Sequence, residues 1–292
     1  MKKYGRYFTV EVKPTIPASI QDIGSDGTAH TAKDLLFDWA PFKLPKGGNK
    51  LIGITTIVRG IDGADQQIPM DLIFATTQRG GGDTAAGTAP VTLGTEHAAI
   101  DTSVDGQNPP YNEIIGHAII TANNFLTADV FSEGISIAST GLLTTDDVSG
   151  PIIFDSYGSL SPTVSDGSLV QPADLDDSEG MYTFYVAATC VATPNLKSMM
   201  VTTGAHGAGT ANDITVGTTD ARAVLAPGDV IHAHDNAVIG TVGNIPDATS
   251  IILKTVVNPD GTTTATTNTE ALGSGDRIYN IHPIKLIFAF ER

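Results

Sequence analysis

An all-β fold class follows from three features of this sequence. Its hydrophobicity repeats every two residues, glycine- and proline-rich turns separate the repeats, and helical periodicity is almost missing. Near the start, Phe8, Val10 and Val12 alternate with Thr9, Glu11 and Lys13, the pattern of a strand with one buried face. Leu35 to Trp39 and Lys50 to Arg59 are β-branched or aromatic runs, divided by Pro45, Gly47 and Gly48. Met70 to Thr77 follows a turn at Asp62-Gly63 and is expected to pair with the preceding strand as a hairpin. Ile114 to Thr121, Ile135 to Ala138 and Met181 to Ala192 are further strands, the last with Tyr182, Phe184, Val186 and Ala188 on one side. The helix candidate is Ala122 to Phe131, where Ala122, Phe125, Leu126 and Val130 share a face. At the far end Ile284, Leu286, Phe288 and Phe290 oppose Lys285, Ile287, Ala289 and Glu291. That strand is expected to be core, each large apolar side chain contributing about 1.5–3 kcal/mol.

Strands at this spacing predict a β-sandwich or jelly-roll body. The first and last strands are each apolar on one face, so both ends are expected in that body, built from residues 1–200 together with 270–292. Between Ala221 and Val257 the strands are shorter and the turns tighter. Leu225 to Ile231 reads as a turn and then a strand, Asp235-Asn236 as a turn into Ala237 to Val242, and Ser250 to Val257 as the next strand. Residues 210–258 are therefore expected to form a small SH3- or OB-like β module. The Gly/Ala/Thr tract Gly80–Pro90 and the Ser/Asp/Pro-rich stretch Leu160–Gly180 read as exposed loops, where contacts with other subunits or a host would sit.

Composition narrows the function classes. Of 292 residues, 41% are hydrophobic, enough for a sizeable core, and only 16% are charged, below the roughly 25% usual in soluble domains. Sixteen Lys and Arg against 32 Asp and Glu leave a net charge of −16, which repels phosphate and disfavours nucleic-acid binding. Cys190 is the single cysteine, so no intrachain disulfide forms, as suits a chain made in a reducing cytoplasm. Lys2, Lys3 and Arg6 precede an alternating strand instead of an apolar signal region, and no stretch approaches the ~20 apolar residues of a membrane helix.

The chemistry sought in the sequence is mostly missing. It holds no Gly-x-Ser-x-Gly elbow, no His-Glu-x-x-His zinc motif and no phosphate-binding glycine loop with Lys-Ser/Thr. Cys190 lies in an apolar strand and reads as core. His232 and His234, two apart in a strand, would face the same side and could share a metal ion, but no third ligand is evident. His97, His117, His206 and His282 stand singly. Asp174, Asp176, Asp177 and Glu179 form an acidic cluster without the EF-hand spacing, and Asp101, Asp105 and Asn108 a weaker one. Carboxylate pairs of the glycosidase type meet only in space and leave no sequence signature. No catalytic, cofactor or metal residue is therefore assigned.

Four segments carry a resemblance. Val12-Lys13-Pro14-Thr15-Ile16-Pro17-Ala18, Ala32-Lys33-Asp34-Leu35-Leu36-Phe37-Asp38-Trp39, Phe42-Lys43-Leu44-Pro45-Lys46-Gly47 and Leu51-Ile52-Gly53-Ile54-Thr55 occur in that order. Together they resemble a virion structural protein of tailed phages of marine bacteria, especially contractile-tailed cyanophages. The run from Gly228-Asp229-Val230-Ile231 through Ile239-Gly240-Thr241-Val242 to Ala248-Thr249-Ser250-Ile251 is similar to a small β module of phage structural proteins. The resemblance implies a place in the particle and carries over no functional residue. The expected role is a non-enzymatic capsid decoration or cement protein that stabilises the head. Its expected partners are the major capsid protein and copies of itself, in a homo-oligomer such as a trimer, with no nucleic acid and no membrane. Such a chain is made in the host cytoplasm and resides in the virion. A tail, neck or baseplate subunit, a host-glycan-binding module and, last, a glycan depolymerase are the alternatives.

Overall fold

The computed structural model describes residues 6–17, 31–45, 47–60, 67–78, 90–96, 98–100, 112–126, 135–140, 152–154, 181–192, 199–217, 220–257, 263–265 and 267–292. The fold is all-β. Its strands are β1 Tyr7–Val12, β2 Leu35–Pro45, β3 Asn49–Arg59, β4 Met70–Gln78, β5 Asn112–Ile120, β6 Ile135–Thr140, β7 Ile153–Phe154, β8 Met181–Cys190 and β9 Met199–Val201. They continue as β10 Asp213–Thr215, β11 Val230–Ala233, β12 Val238–Asp247, β13 Ser250–Leu253, β14 Thr255–Val257, β15 Thr263–Ala265, β16 Arg277–Asn280 and β17 Ile284–Glu291. A four-residue helix, α1 (Ala221–Val224), precedes β11.

Two sheets share the larger core. One runs β1-β17-β3-β6, with β7 on the same side of β3 as β6. The other runs β2-β8-β4-β5. The ends of the chain meet as expected: β1 pairs antiparallel with β17 from Tyr7 opposite Glu291 to Val12 opposite Leu286. Outside that ladder Arg6 donates to Glu291 Oε1 at 2.7 Å, and inside it the Phe8 and Phe290 rings stack at 5.5 Å. β17 alternates buried and half-buried along its whole length, as its sequence requires.

Both sheets aim phenylalanines at one place. Phe42, Phe74 and Phe184 come from the β2-β8-β4-β5 sheet, and Phe154, Phe288 and Phe290 from the other. Phe154 lies 5.2–5.8 Å from the rings of Phe42, Phe74, Phe184 and Phe290, mostly edge to face. A two-residue strand thus supplies the centre of the cluster. β2 carries Pro41 and Pro45 without penalty because it is an edge strand, paired only with β8. The outer face of that sheet is covered in turn: Leu35, Ile73 and Ala187 pack with Trp39, Leu93 and Ile100.

A second core belongs to the six-stranded sheet β10-β13-β12-β11-β16-β9. This sheet curls until its edges meet. Thr202 bridges Val216, Thr203 N–H donates to Thr215 O at 3.1 Å, and Gly217 N–H donates to Val201 O at 2.7 Å. Its turns are those the sequence marks. Gly228 takes φ +95° ahead of β11, and Asn236 takes φ +65° in the β11–β12 hairpin, a conformation asparagine tolerates. Gly243 is required for another reason: a Cβ there would lie 2.8 Å from Lys254 Cα. The sheet draws on residues 199–280, a wider span than the 210–258 stretch read as a module. β14 and β15 form a separate ribbon.

Two expectations are corrected. β4 does not form a hairpin with β3; it pairs with β5 and β8, while β3 pairs with β17, β6 and β7. Both strands are apolar on the face turned to the shared core, and burying both faces there requires the chain to cross between sheets instead of turning back. Nor does a helix form from Ala122. A single 3-10 turn, Ala122–Asn124, ends at Phe125, whose backbone is extended at φ −77°, ψ 138° and bridges Ala138. Asn124 Oδ1 accepts from Thr121 N and Oγ1, which closes the turn locally, and Phe125 is then buried in the core. Residues 127–131 of that stretch lie outside the described residues.

If Phe154 is the hub of the larger core, Phe154→Ala destabilises the protein by about 3–5 kcal/mol, measured by chemical denaturation. The exposed neighbour Ile153→Ala is expected to change stability by less than about 1 kcal/mol.

Candidate functional site

The chain passes between the two cores from β16 to β17 through Ile281, His282 and Pro283. The segment after β1, with Lys13, Pro14 and Ile16, lies beside this connection and runs antiparallel to it, continuing the β1–β17 pairing. Backbone bonds hold the connection: Ile16 N–H donates to Ile281 O at 2.8 Å and Arg59 N–H, at the end of β3, to Pro283 O at 2.9 Å. His282 Nδ1 faces Pro14 O at 3.1 Å, and since a carbonyl only accepts, that nitrogen carries the hydrogen.

A buried polar node ties this crossing to the six-stranded sheet. Asn280, fully buried, donates through Nδ2 to Val224 O at 2.9 Å and Asp229 Oδ2 at 3.3 Å. Its Oδ1 accepts from His282 N at 2.8 Å. Asp229 Oδ2 also accepts from Ala226 N at 2.8 Å, and Asp229 Oδ1 lies 3.4 Å from Lys13 Nζ. Arg59 Nη1 reaches Arg222 O, within α1, and Leu225 O, just beyond it, both at 3.5 Å. Over this node opens a pocket of about 200 Å³ lined by Lys13, Ile57, Arg59, Ala226, Pro227, Asp229, His282, Pro283 and Lys285.

A second pocket, of about 230 Å³, has Trp39 beside Asp38, Glu96, Lys13 and Thr15. Trp39 Nε1 donates to Val91 O at 2.7 Å, and Asp38 Oδ1 accepts from Leu93 N at 3.2 Å. Burial, with a smaller push from Asp38, raises the Glu96 carboxyl above the ordinary range.

The two histidines have separate hydrogen-bond partners. His232 is buried and its Nδ1 donates to Asn236 O at 2.9 Å. His234 lies past the end of β11, exposed, with Nδ1 3.2 Å from Tyr279 Oη. β11 ends at Ala233 and His234 already belongs to the turn into β12, so the strand alternation expected of the two imidazoles stops one residue short of it. Among the described residues no group of three or more His, Cys, Asp or Glu side chains is placed to hold a metal. His206 accepts at Nε2 from Thr215 N at 3.2 Å, a structural bond inside the second core region. His117 pairs with Asp71 across β5 and β4 at the surface. Cys190 sits in the larger core beside Met70, and burial, with the nearby Asp34 charge, pushes its thiol up to about 12. Loops 80–90 and 160–180, apart from Pro90, lie outside the described residues, as do Asp101, Asp105, Asn108, Asp174, Asp176, Asp177, Glu179 and His97. No helix among the described residues is long and apolar enough to cross a membrane.

The pocket at the crossing escaped the sequence reading because its members stand as far apart as Lys13 and Lys285. The one available signal was Asn280, a polar residue following two apolar ones at the end of a strand. Compared with protein-family models and with curated proteins, the chain matches none.

Two outcomes follow for the titratable groups that desolvation shifts. Cys190 is expected to resist thiol reagents at neutral pH in the native protein and to react fully in denaturant, followed by absorbance with a chromogenic disulfide. Glu96 has a raised folded-state pKa, so the native state holds its proton more tightly than the unfolded chain and stability falls as pH rises through that range. Glu96→Gln therefore raises the denaturation midpoint at pH 7, with the gain shrinking towards pH 4.

Proposed function

We propose that this chain is a non-catalytic structural protein of a bacteriophage particle, a capsid decoration or cement protein bound to the outside of the assembled head. The observation that carries this reading is the resemblance of the segments from Val12 to Thr55. In the fold those segments supply the end of β1, most of β2 and the middle of β3, so they are framework in both sheets of the larger core. The finer architecture we infer is a jelly-roll-like sandwich carrying an SH3- or OB-like module, the latter matching the resemblance from Gly228 to Ile251.

A cement protein works by many small contacts repeated over a lattice, and a sparsely charged, polar surface suits such packing. A net charge of −16 suits a position away from the genome. On this reading the partners are the major capsid protein and further copies of the chain, in a closed oligomer such as a trimer. The protein is made in the host cytoplasm and ends in the virion.

A host-glycan-binding module is the second reading. It is favoured by the pocket in which the Trp39 ring stands beside Asp38, Glu96 and Thr15, an apolar face next to hydrogen-bonding groups. Immunogold labelling of purified virions separates the positions. Label on heads, with a copy number by mass spectrometry that matches the capsid lattice, is expected. Label confined to tails, with unchanged heads in particles lacking the chain, overturns the decoration role.

A further inference from the structure

We propose that the pocket at the crossing of the two cores is a binding site for a small oxyanion, a phosphate or carboxylate group. The proposal is independent of the virion reading. Three permanent cations, Lys13, Arg59 and Lys285, line a pocket whose lining includes a single carboxylate, Asp229. This is a local excess of positive charge on a protein with a net charge of −16.

The existing partners leave that excess in place. Asp229 directs Oδ2 inward, to Ala226 N and Asn280 Nδ2, and offers Oδ1 to Lys13 at 3.4 Å. Lys285 pairs at 2.6 Å with Glu11, which is not part of the lining. Arg59 has no carboxylate within ion-pair distance among the described residues. Its side-chain bonds are the two 3.5 Å contacts with the carbonyls of Arg222 and Leu225, at the long limit for such bonds. A half-buried guanidinium is therefore held in position by neutral acceptors while its charge stays uncompensated. Arginine presents a planar fork of donors suited to the two oxygens of a carboxylate or phosphate. The His282 imidazole joins the lining with its Nδ1 hydrogen already committed to Pro14 O, which leaves Nε2 as its remaining polar atom.

Low-dielectric walls strengthen the pull of such a cluster. Ile57, Pro227 and Pro283 supply them here. An oxyanion at this position touches Lys13 just after β1 and residues of β3 and β17 on one side, and the α1–β11 turn on the other. It joins the segment around the larger core to the curled sheet, so binding stabilises the native state in proportion to occupancy.

The test uses the whole protein, titrated with sodium phosphate and, separately, with sodium acetate, against sodium chloride at matched ionic strength. Isothermal calorimetry and thermal unfolding are the readouts. The expected result is saturable binding of at least one oxyanion, on the order of millimolar, with a rise in Tm that chloride does not reproduce. Tighter phosphate binding assigns the site to phosphate groups, and tighter acetate binding to carboxylates. Arg59→Gln and Lys285→Gln are each expected to weaken the binding about tenfold or more, while Lys254→Gln, outside the pocket lining, leaves it unchanged. If Arg59→Gln does not fold, Lys285→Gln alone decides. Tm shifts that follow ionic strength for all three salts overturn the proposal, and so does oxyanion binding that the folded pocket variants retain in full.

Discussion

The larger core depends on how two sheets can be held face to face by aromatic side chains. Phe42, Phe74 and Phe184 project from one sheet and Phe154, Phe288 and Phe290 from the other, most of them edge to face. An edge-to-face pair contributes about 0.5–1.5 kcal/mol beyond the area it buries, and its geometry fixes orientation as well as distance. Strand order follows from this arrangement. β17 must lie beside β1 and β3 to deliver Phe288 and Phe290, and β7 must reach the far end of β3 to deliver Phe154. The crossing from β3 to β4 is then unavoidable, because Phe74 faces the cluster from the opposite sheet.

The six-stranded sheet solves a different problem. Its strands are short and its core is mostly aliphatic, with Ile214, Ile231, Ile239, Ile251, Leu253 and Ile278 fully or almost fully buried. Curling until β9 and β10 meet removes the exposed edges that short strands would otherwise present. The junction with the larger core is polar where the cores themselves are apolar. Asn280 and Asp229 are buried, yet the groups named around them satisfy one another, the condition under which a buried polar node is tolerated. The same node sets Lys13 and Arg59 around a pocket, so the interaction that orders the junction also creates its charge.

Much of the fold was legible in the sequence because a strand announces itself locally. The alternation of Phe8-Val10-Val12 and of Ile284 to Phe290 foretold two strands whose meeting in one body the structure bears out. Gly228 and Asn236 foretold their turns. Partner choice was less legible, since the turn at Asp62-Gly63 gives no sign that the next strand joins another sheet. At residues 232 and 234 the spacing was legible but the end of the strand was not: β11 stops at Ala233, one residue short of His234. The pocket at the crossing was invisible, because Lys13, Arg59, Asp229 and Lys285 are brought together only by the completed topology. Phe125 shows local spacing losing to burial, with a helical pattern giving way to an extended residue in the core.

The proposed role in a phage particle rests on sequence resemblance, and the resembling segments are framework strands of the larger core. The most direct measurement is a cryo-EM reconstruction of the intact particle of a phage encoding this chain. The account predicts density on the outer capsid surface, repeated with the lattice, that accepts the two sheets around Phe154 and the curled six-stranded sheet. Capsid density explained entirely by other proteins, with this chain found elsewhere or not in the particle, would contradict it.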